Sequence, residues 1–181
     1  LATRRSGRPR EMAAPGPDPV QMRMMAALAA RTPDHGKLAP WRFVIIPDDA
    51  RAALGDRIAA ALAADQPGAS AAVLESAREF ARQAPSMMVV LFSPREDSRI
   101  PLWEQELSVG AACMNLLHAG HALGFVGGWI TGWAAYSERV RDIFGTAPER
   151  IAGFLFFGTP TSPLQDRPRG VTDATITLWQ K

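Results

Sequence analysis

The chain has 181 residues, 47% of them apolar and 21% charged, with a formal charge of +2. That length and balance describe one globular domain long enough to bury a core, and they exclude a disordered or polyanion-seeking protein. All the basic residues except Lys37 and Lys181 are arginines, spread along the chain instead of gathered on one segment, which argues against a nucleic-acid binder.

The opening "RRSGRPREMAAPGP" holds too many prolines and glycines for regular structure and is expected as a loop. A helix follows, with Asp18 as N-cap, Pro19 at the first helical position and an apolar stripe of Met22, Met25, Ala26, Leu28 and Ala29. It should end near Arg31, because Thr32 precedes a proline. "WRFVII" reads as a short buried strand closed by Pro47. Asp48 is expected to cap a helix to about Ala64, and Ser70 another to about Gln83.

"SMMVVLFS" is continuously apolar, the pattern of a strand covered on both faces. "LWEQELSVGAACMNLLHAGHAL" is the longest helix, apolar nearly all round beyond Glu106, so it is either buried centrally or shared with another subunit. Gly124 suits its terminator. "FVGGWIT" then reads as a strand, residues 137–144 as a short helix capped by Ser137, and "IAGFLFFGTP" as a further strand. "ATITLW" is a last β-prone segment with no core of its own. Strands interspersed among helices, without a hairpin dipeptide, predict an α+β sandwich: one sheet with helices packed on it, in a single domain spanning 1–181.

The single cysteine, Cys113, cannot close an internal disulfide and lies in an apolar helix, where a thiol is a packing group and not a nucleophile. No apolar stretch backs the basic opening, and the longest apolar run carries His118 and His121; the expectation is a cytoplasmic protein with no membrane span. Those histidines stand three apart on one helical face with no acidic or thiol neighbour in sequence, a weak case for a metal. Neither a dinucleotide fingerprint nor a Walker sequence is present. With no side-chain reaction centre in view, a catalytic protein of this composition would borrow its chemistry from a cofactor.

Four stretches have the residue types for binding one. "RRSGR" sets Arg4, Arg5 and Arg8 beside the Ser6 hydroxyl, a phosphate clamp or else a solvated basic tail. "RTPDHGKLAP" fixes Arg31 and His35 in a turn stiffened by two prolines, unless His35 merely caps the preceding helix. "GGWITG" lets a backbone approach something flat along Trp129, Ile130 and Thr131, or marks a bent strand. "QDRPRG" puts Arg167 and Arg169 in the tail, where they could meet the same anion as Arg4 and Arg5. Together these suit a flat, phosphorylated, anionic ligand.

"RRS", "PDHGKLAPWRFVII", "PLWEQELSVGAACMNLLHAG", "LGFVGGWITG" and "IAGFLFFGTP" follow one another in an order that resembles the nitroreductase family, most of all its small, YdjA-like NAD(P)H-dependent branch. The resemblance covers almost the whole chain. It implies an α+β nitroreductase-like sandwich with a central, mostly antiparallel sheet, an intertwined homodimer, and FMN at the subunit interface. It also implies a ping-pong oxidoreductase that takes hydride from NAD(P)H and passes it to a small electron-poor acceptor such as a nitroaromatic or quinone. A flavin-binding or carrier module without turnover is the alternative.

By the same resemblance, Arg4, Arg5 and Ser6 bind the FMN phosphate and ribityl chain, and Arg31 and His35 reach it from the partner subunit. Trp129, Ile130 and Thr131 run along the isoalloxazine edge, and Arg169 (or Arg167) closes on the phosphate. For the negative charge near N1 and O2 of the reduced flavin, Arg8 is the candidate side chain, with backbone N–H groups as the alternative. The tail from about residue 160 onward is expected to reach the partner, and loops 66–70 and 95–101 to shape the acceptor pocket. Only "LAT" stands where the resemblance places a first helix, so the expectation is a chain that lacks it. Ile130 occupies a position where a polar residue is expected.

Overall fold

The computed structural model describes residues 2–167, 170 and 175–179. In chain order they form β1 (Met12–Ala13), α1 (Pro19–Ala29), β2 (Trp41–Ile46), α2 (Arg51–Asp65), α3 (Ala71–Arg78) and β3 (Ser86–Phe92). There follow α4 (Leu102–Ala122), β4 (Val126–Ile130), α5 (Gly132–Tyr136), α6 (Glu138–Phe144) and β5 (Arg150–Pro160).

The sheet is built on β5. β3 pairs with one edge of it and β2 with the far edge of β3, while the other edge of β5 takes β4 along residues 154–158 and β1 at Thr159 and Pro160. All these pairings are antiparallel. Ser6 adds one parallel bridge to Gly127 on the outer edge of β4.

β3 shows why the sheet is central: all seven of its residues are buried. Its side chains alternate, as a strand requires. Met87, Val89 and Leu91 join Leu54 and Ile58 of α2 and Phe154 and Phe156 of β5 on one face. Met88, Val90 and Phe92 join Met25 of α1, Val109, Cys113 and Leu116 of α4, and Leu155 and Phe157 on the other. Two apolar layers on one sheet give the α+β sandwich that the pattern predicts. Burial pushes the Cys113 thiol up to about 12, so it is a packing group, as expected.

Asp18 caps α1 through a reciprocal capping box with Gln21, Ser70 caps α3, Ser137 caps α6, and Gly124 follows α4 at positive φ. Asp48 does not cap α2. Residues 48–50 make a 3₁₀ turn instead, Ala50 takes the cap position, and the exposed Asp48 carboxylate lies 3.8 Å from Arg51. The helix begun at Ser70 leaves α-geometry at Arg78 and continues as a 3₁₀ turn over Glu79–Arg82. β1 falls inside the segment read as loop, α5 is an addition, and no strand forms over residues 175–179.

Candidate functional site

The opening loop does not run free. Gly7 N–H donates to Gly127 O at 3.1 Å, and the Gly7 carbonyl lies so close to Gly128 that a Cβ there would meet it at 2.6 Å. The paired glycines of β4 are thus what lets the "RRS" segment lie against the sheet edge. This brings two of the four sequence stretches, "RRSGR" and "GGWITG", into one place.

Arg4 donates to Ser6 Oγ at 3.2 Å and, among the described residues, has no carboxylate partner. The C-terminal end of α4 adds imidazoles: His121 Nε2 lies 3.1 Å from Thr3 Oγ1, and His118 titrates below its ordinary value through desolvation first, then the nearby charges of Arg4, the N-terminus and His121. The described residues hold no cluster of His, Cys, Asp or Glu suited to a metal. Two imidazoles beside an unpaired guanidinium and a hydroxyl form a donor set for an anion.

Arg5 is engaged by its own chain, donating to Ala2 O at 2.7 Å and to Arg4 O, and pairing with Asp166 at 2.9 Å. Arg8 pairs with Glu11 at 3.0 Å. A cleft of about 290 Å³ separates this segment from the tail and is lined by Ser6, Arg8, Glu11, Asp166 and Arg167. Arg167 therefore lies in the same neighbourhood as Arg8; Arg169 lies outside the described residues.

Farther along β4, the Trp129 indole donates to Ala152 O at 3.0 Å. The register of β5 against β3 shifts between Val90 and Leu91, leaving Ala152 as an extra residue, so the bulge supplies that carbonyl. Trp129 is 38% exposed and borders a cleft of about 420 Å³ with Phe92, Val109, Gly110, Tyr136 and Arg150. α4, β5 and the α5–α6 region line this cleft, not the loops 66–70 and 95–101. Ile130 turns to the other face and packs on the α2-side core, while Thr131 is half-buried at the entry to α5.

His35 is elsewhere, whereas Arg31 adjoins Thr32, whose hydroxyl accepts from Asn115 Nδ2 of α4 at 2.7 Å. Arg31 is exposed just past the C-terminal end of α1, and His35 Nδ1 lies 2.8 Å from Glu104 Oε2 in the first turn of α4. Seventeen residues of helix separate Glu104 from His121, about 25 Å at the standard rise per residue. One protomer therefore keeps His35 and the "RRS" group at opposite ends of its longest helix. Sequence reasoning missed Glu104, Asp166 and the two imidazoles as neighbours of site residues; only Glu104 carried a signal, the "WEQE" at the head of α4.

This architecture, a five-stranded antiparallel sheet between helical layers, is that of nitroreductase-like structures. A nitroreductase-like family protein from Bacillus cereus superposes with a TM-score of 0.82 at 17% identity, over 99% of this chain and 94% of that one. The FMN and NADPH-dependent nitroreductase NfnB from Sphigopyxis sp. strain HMH gives 0.72 at 19% identity, over 99% and 96%. The family model "Nitroreductase family" matches residues 1–159, and the "Putative NAD(P)H nitroreductase YdjA" of Escherichia coli K12 is 34% identical over 88% of this chain and 86% of its own. The chain belongs to the nitroreductase family, and it is an oxidoreductase.

Proposed function

We propose that two copies of this chain bind FMN between them, and that the bound FMN accepts hydride from NAD(P)H and passes it in a ping-pong sequence to an electron-poor acceptor such as a nitroaromatic or quinone. The observation that carries this reading is the "RRS" segment hydrogen-bonded along the glycine edge of β4, which sets phosphate donors and a flat, half-exposed strand end side by side. The donor set fits the group: the Arg4 guanidinium, the Ser6 hydroxyl and the two imidazoles suit a phosphate. YdjA and NfnB, whose names include NAD(P)H or NADPH and, for NfnB, FMN, support the same choice.

In this reading Arg4, Arg5 and Ser6 hold the phosphate and ribityl end, and Asp166 yields Arg5 as Arg167 or Arg169 closes from the tail. Trp129, Ile130 and Thr131 border the ring, Ile130 by packing or through its backbone. Arg8 offsets negative charge near N1 and O2. The cleft beside Trp129, lined by Phe92, Val109 and Tyr136 together with the charged Glu106, Arg141 and Arg150, admits a planar acceptor.

Arg31 and His35 serve the second copy's site: His35 is bonded to Glu104 at the head of α4, about 25 Å along the helix from His121, which neighbours its own protomer's "RRS" segment. All of 1–181 acts as one domain, whose segment from about residue 160 reaches the partner. The buried lone Cys113 supports a cytoplasmic setting. No helix among the described residues is long and apolar enough to cross a membrane.

The test is direct. Protein reconstituted with FMN and freed of excess ligand should be yellow, be bleached anaerobically by NADH or NADPH, and recover its colour when a nitroaromatic or quinone is added. Retained colour without bleaching would select the carrier alternative; no retained flavin would end the reading.

A further inference from the structure

The turn that presents His35 is held at more points than its length requires. Gly36, Lys37 and Ala39 take positive φ of 78°, 57° and 46°. At Lys37 and Ala39, which have a Cβ, that backbone is unfavourable and persists only where the surroundings enforce it. Here they do. Asp34 Oδ2 accepts from Ala39 N–H at 2.6 Å, Arg95 Nε donates to Leu38 O at 3.4 Å, and Ile100 packs so closely over Gly36 that a Cβ would meet it at 2.4 Å.

The held imidazole is mostly exposed, and its Nδ1 points at Glu104. A carboxylate only accepts, so Nδ1 carries the proton, and in the neutral ring Nε2 is left with an outward lone pair. The charged groups of this neighbourhood are Glu104 on α4, Asp34 and Lys37 in the turn, and Arg95 in the adjoining loop. Glu104 is the one bonded to the ring, and its charge disfavours a phosphate there even when the imidazole is protonated. The donor set for an anion is at the other end of α4.

Resting on the FMN reading, we infer that Glu104 is a positioning residue: it fixes His35 so that Nε2 accepts from a hydroxyl or N–H of the ribityl and ring portion of FMN, leaving the phosphate to the arginines. Recognition of one cofactor is thereby divided between the head of α4 in one protomer and the C-terminal end of α4 in the other.

Riboflavin, which lacks the phosphate, separates the two ends. Full-length apoprotein titrated with FMN and with riboflavin, followed by quenching of flavin fluorescence, should show Glu104→Ala weakening both ligands by the same factor, about ten-fold. His35→Ala should match it, and the double variant should add little. Glu104→Gln, whose amide oxygen still accepts from Nδ1–H, should stay within about two-fold of wild type, whereas Arg4→Ala should weaken FMN and spare riboflavin. Equal affinities for wild type and Glu104→Ala, a loss confined to FMN, or a Gln variant as weak as the Ala variant would each overturn the inference. Should Glu104→Ala fail to fold, the Gln variant alone decides, since its loss of affinity refutes positioning through the hydrogen bond. A wild type that binds neither flavin would instead overturn the FMN reading, and this inference with it.

Discussion

Glu149, the residue preceding β5, concentrates more electrostatic stabilisation than any exposed pair. Arg42 meets its two oxygens at 3.0 and 2.9 Å, Ser93 adds a hydrogen bond, and the Glu149 side chain is only 17% exposed. The Arg42 hydrogen bond leads the causes that hold this carboxyl down to about 2 from 4.5, outweighing its desolvation. A carboxylate whose folded pKa lies below its unfolded one adds stability that is complete above the unfolded pKa and is lost as pH falls through the folded one. The contribution is of order 3 kcal/mol at neutral pH, disappearing between about pH 5 and pH 2. Glu149→Gln should therefore be most destabilising at pH 6 and converge on wild type toward pH 2 in denaturant titrations; a gap that stays constant over that range would refute the assignment. By contrast Arg150–Glu106 and Arg78–Glu75, both on the surface, are worth little each.

At the scale of the element, the bulge in β5 does what a regular strand cannot. The extra Ala152 leaves a carbonyl for the Trp129 indole, and Gly153 leaves the space for it: a Cβ there would sit 1.9 Å from Trp129 Nε1. Gly153→Ala should expel the indole, costing about 1–3 kcal/mol, the range for overpacking, and moving the Trp129 Nε1–H resonance from its hydrogen-bonded position. An unmoved resonance would mean that the strand shifts instead.

None of this could be read beforehand, because a bulge is set by the register of three strands and not by any local run. β1 was hidden for a related reason, since two residues paired with Thr159 and Pro160 carry no periodicity of their own. The other strands and the long helix were legible because their signals are local. An unbroken apolar run such as "SMMVVLFS" must be covered on both faces, and Asp18, Ser70 and Ser137 cap their helices within three residues. Asp48 broke that rule where the chain entered α2 through a 3₁₀ turn. In the candidate site, "RRS" and "GGWITG" were visible as stretches, but their meeting depends on the Gly7–Gly127 hydrogen bond, and the His35–Glu104 pair spans 69 residues.

For the whole molecule, the helical layer of α1 and α4 is the informative surface. Val20, Met24 and Leu28 recur at i, i+4 and i+8 on the outer side of α1, and Trp103 and Leu107 do so on α4, all exposed. Helices that are apolar on both sides call for a second covering, and in the proposed dimer another copy supplies it. A two-fold arrangement would place each His35 against the other protomer's arginines, which turns assembly into a complementation experiment. Arg4→Ala and His35→Ala each damage one half of every site when present alone. Unfolded together and refolded, they should form mixed dimers in which one site carries both substitutions and the other neither, so that about a quarter of all sites are intact if mixing is random. Tight FMN binding and turnover should rise from the level of either parent to about a quarter of wild type. If each site belonged to one protomer, mixing could restore nothing, because no chain in the mixture would carry both native residues.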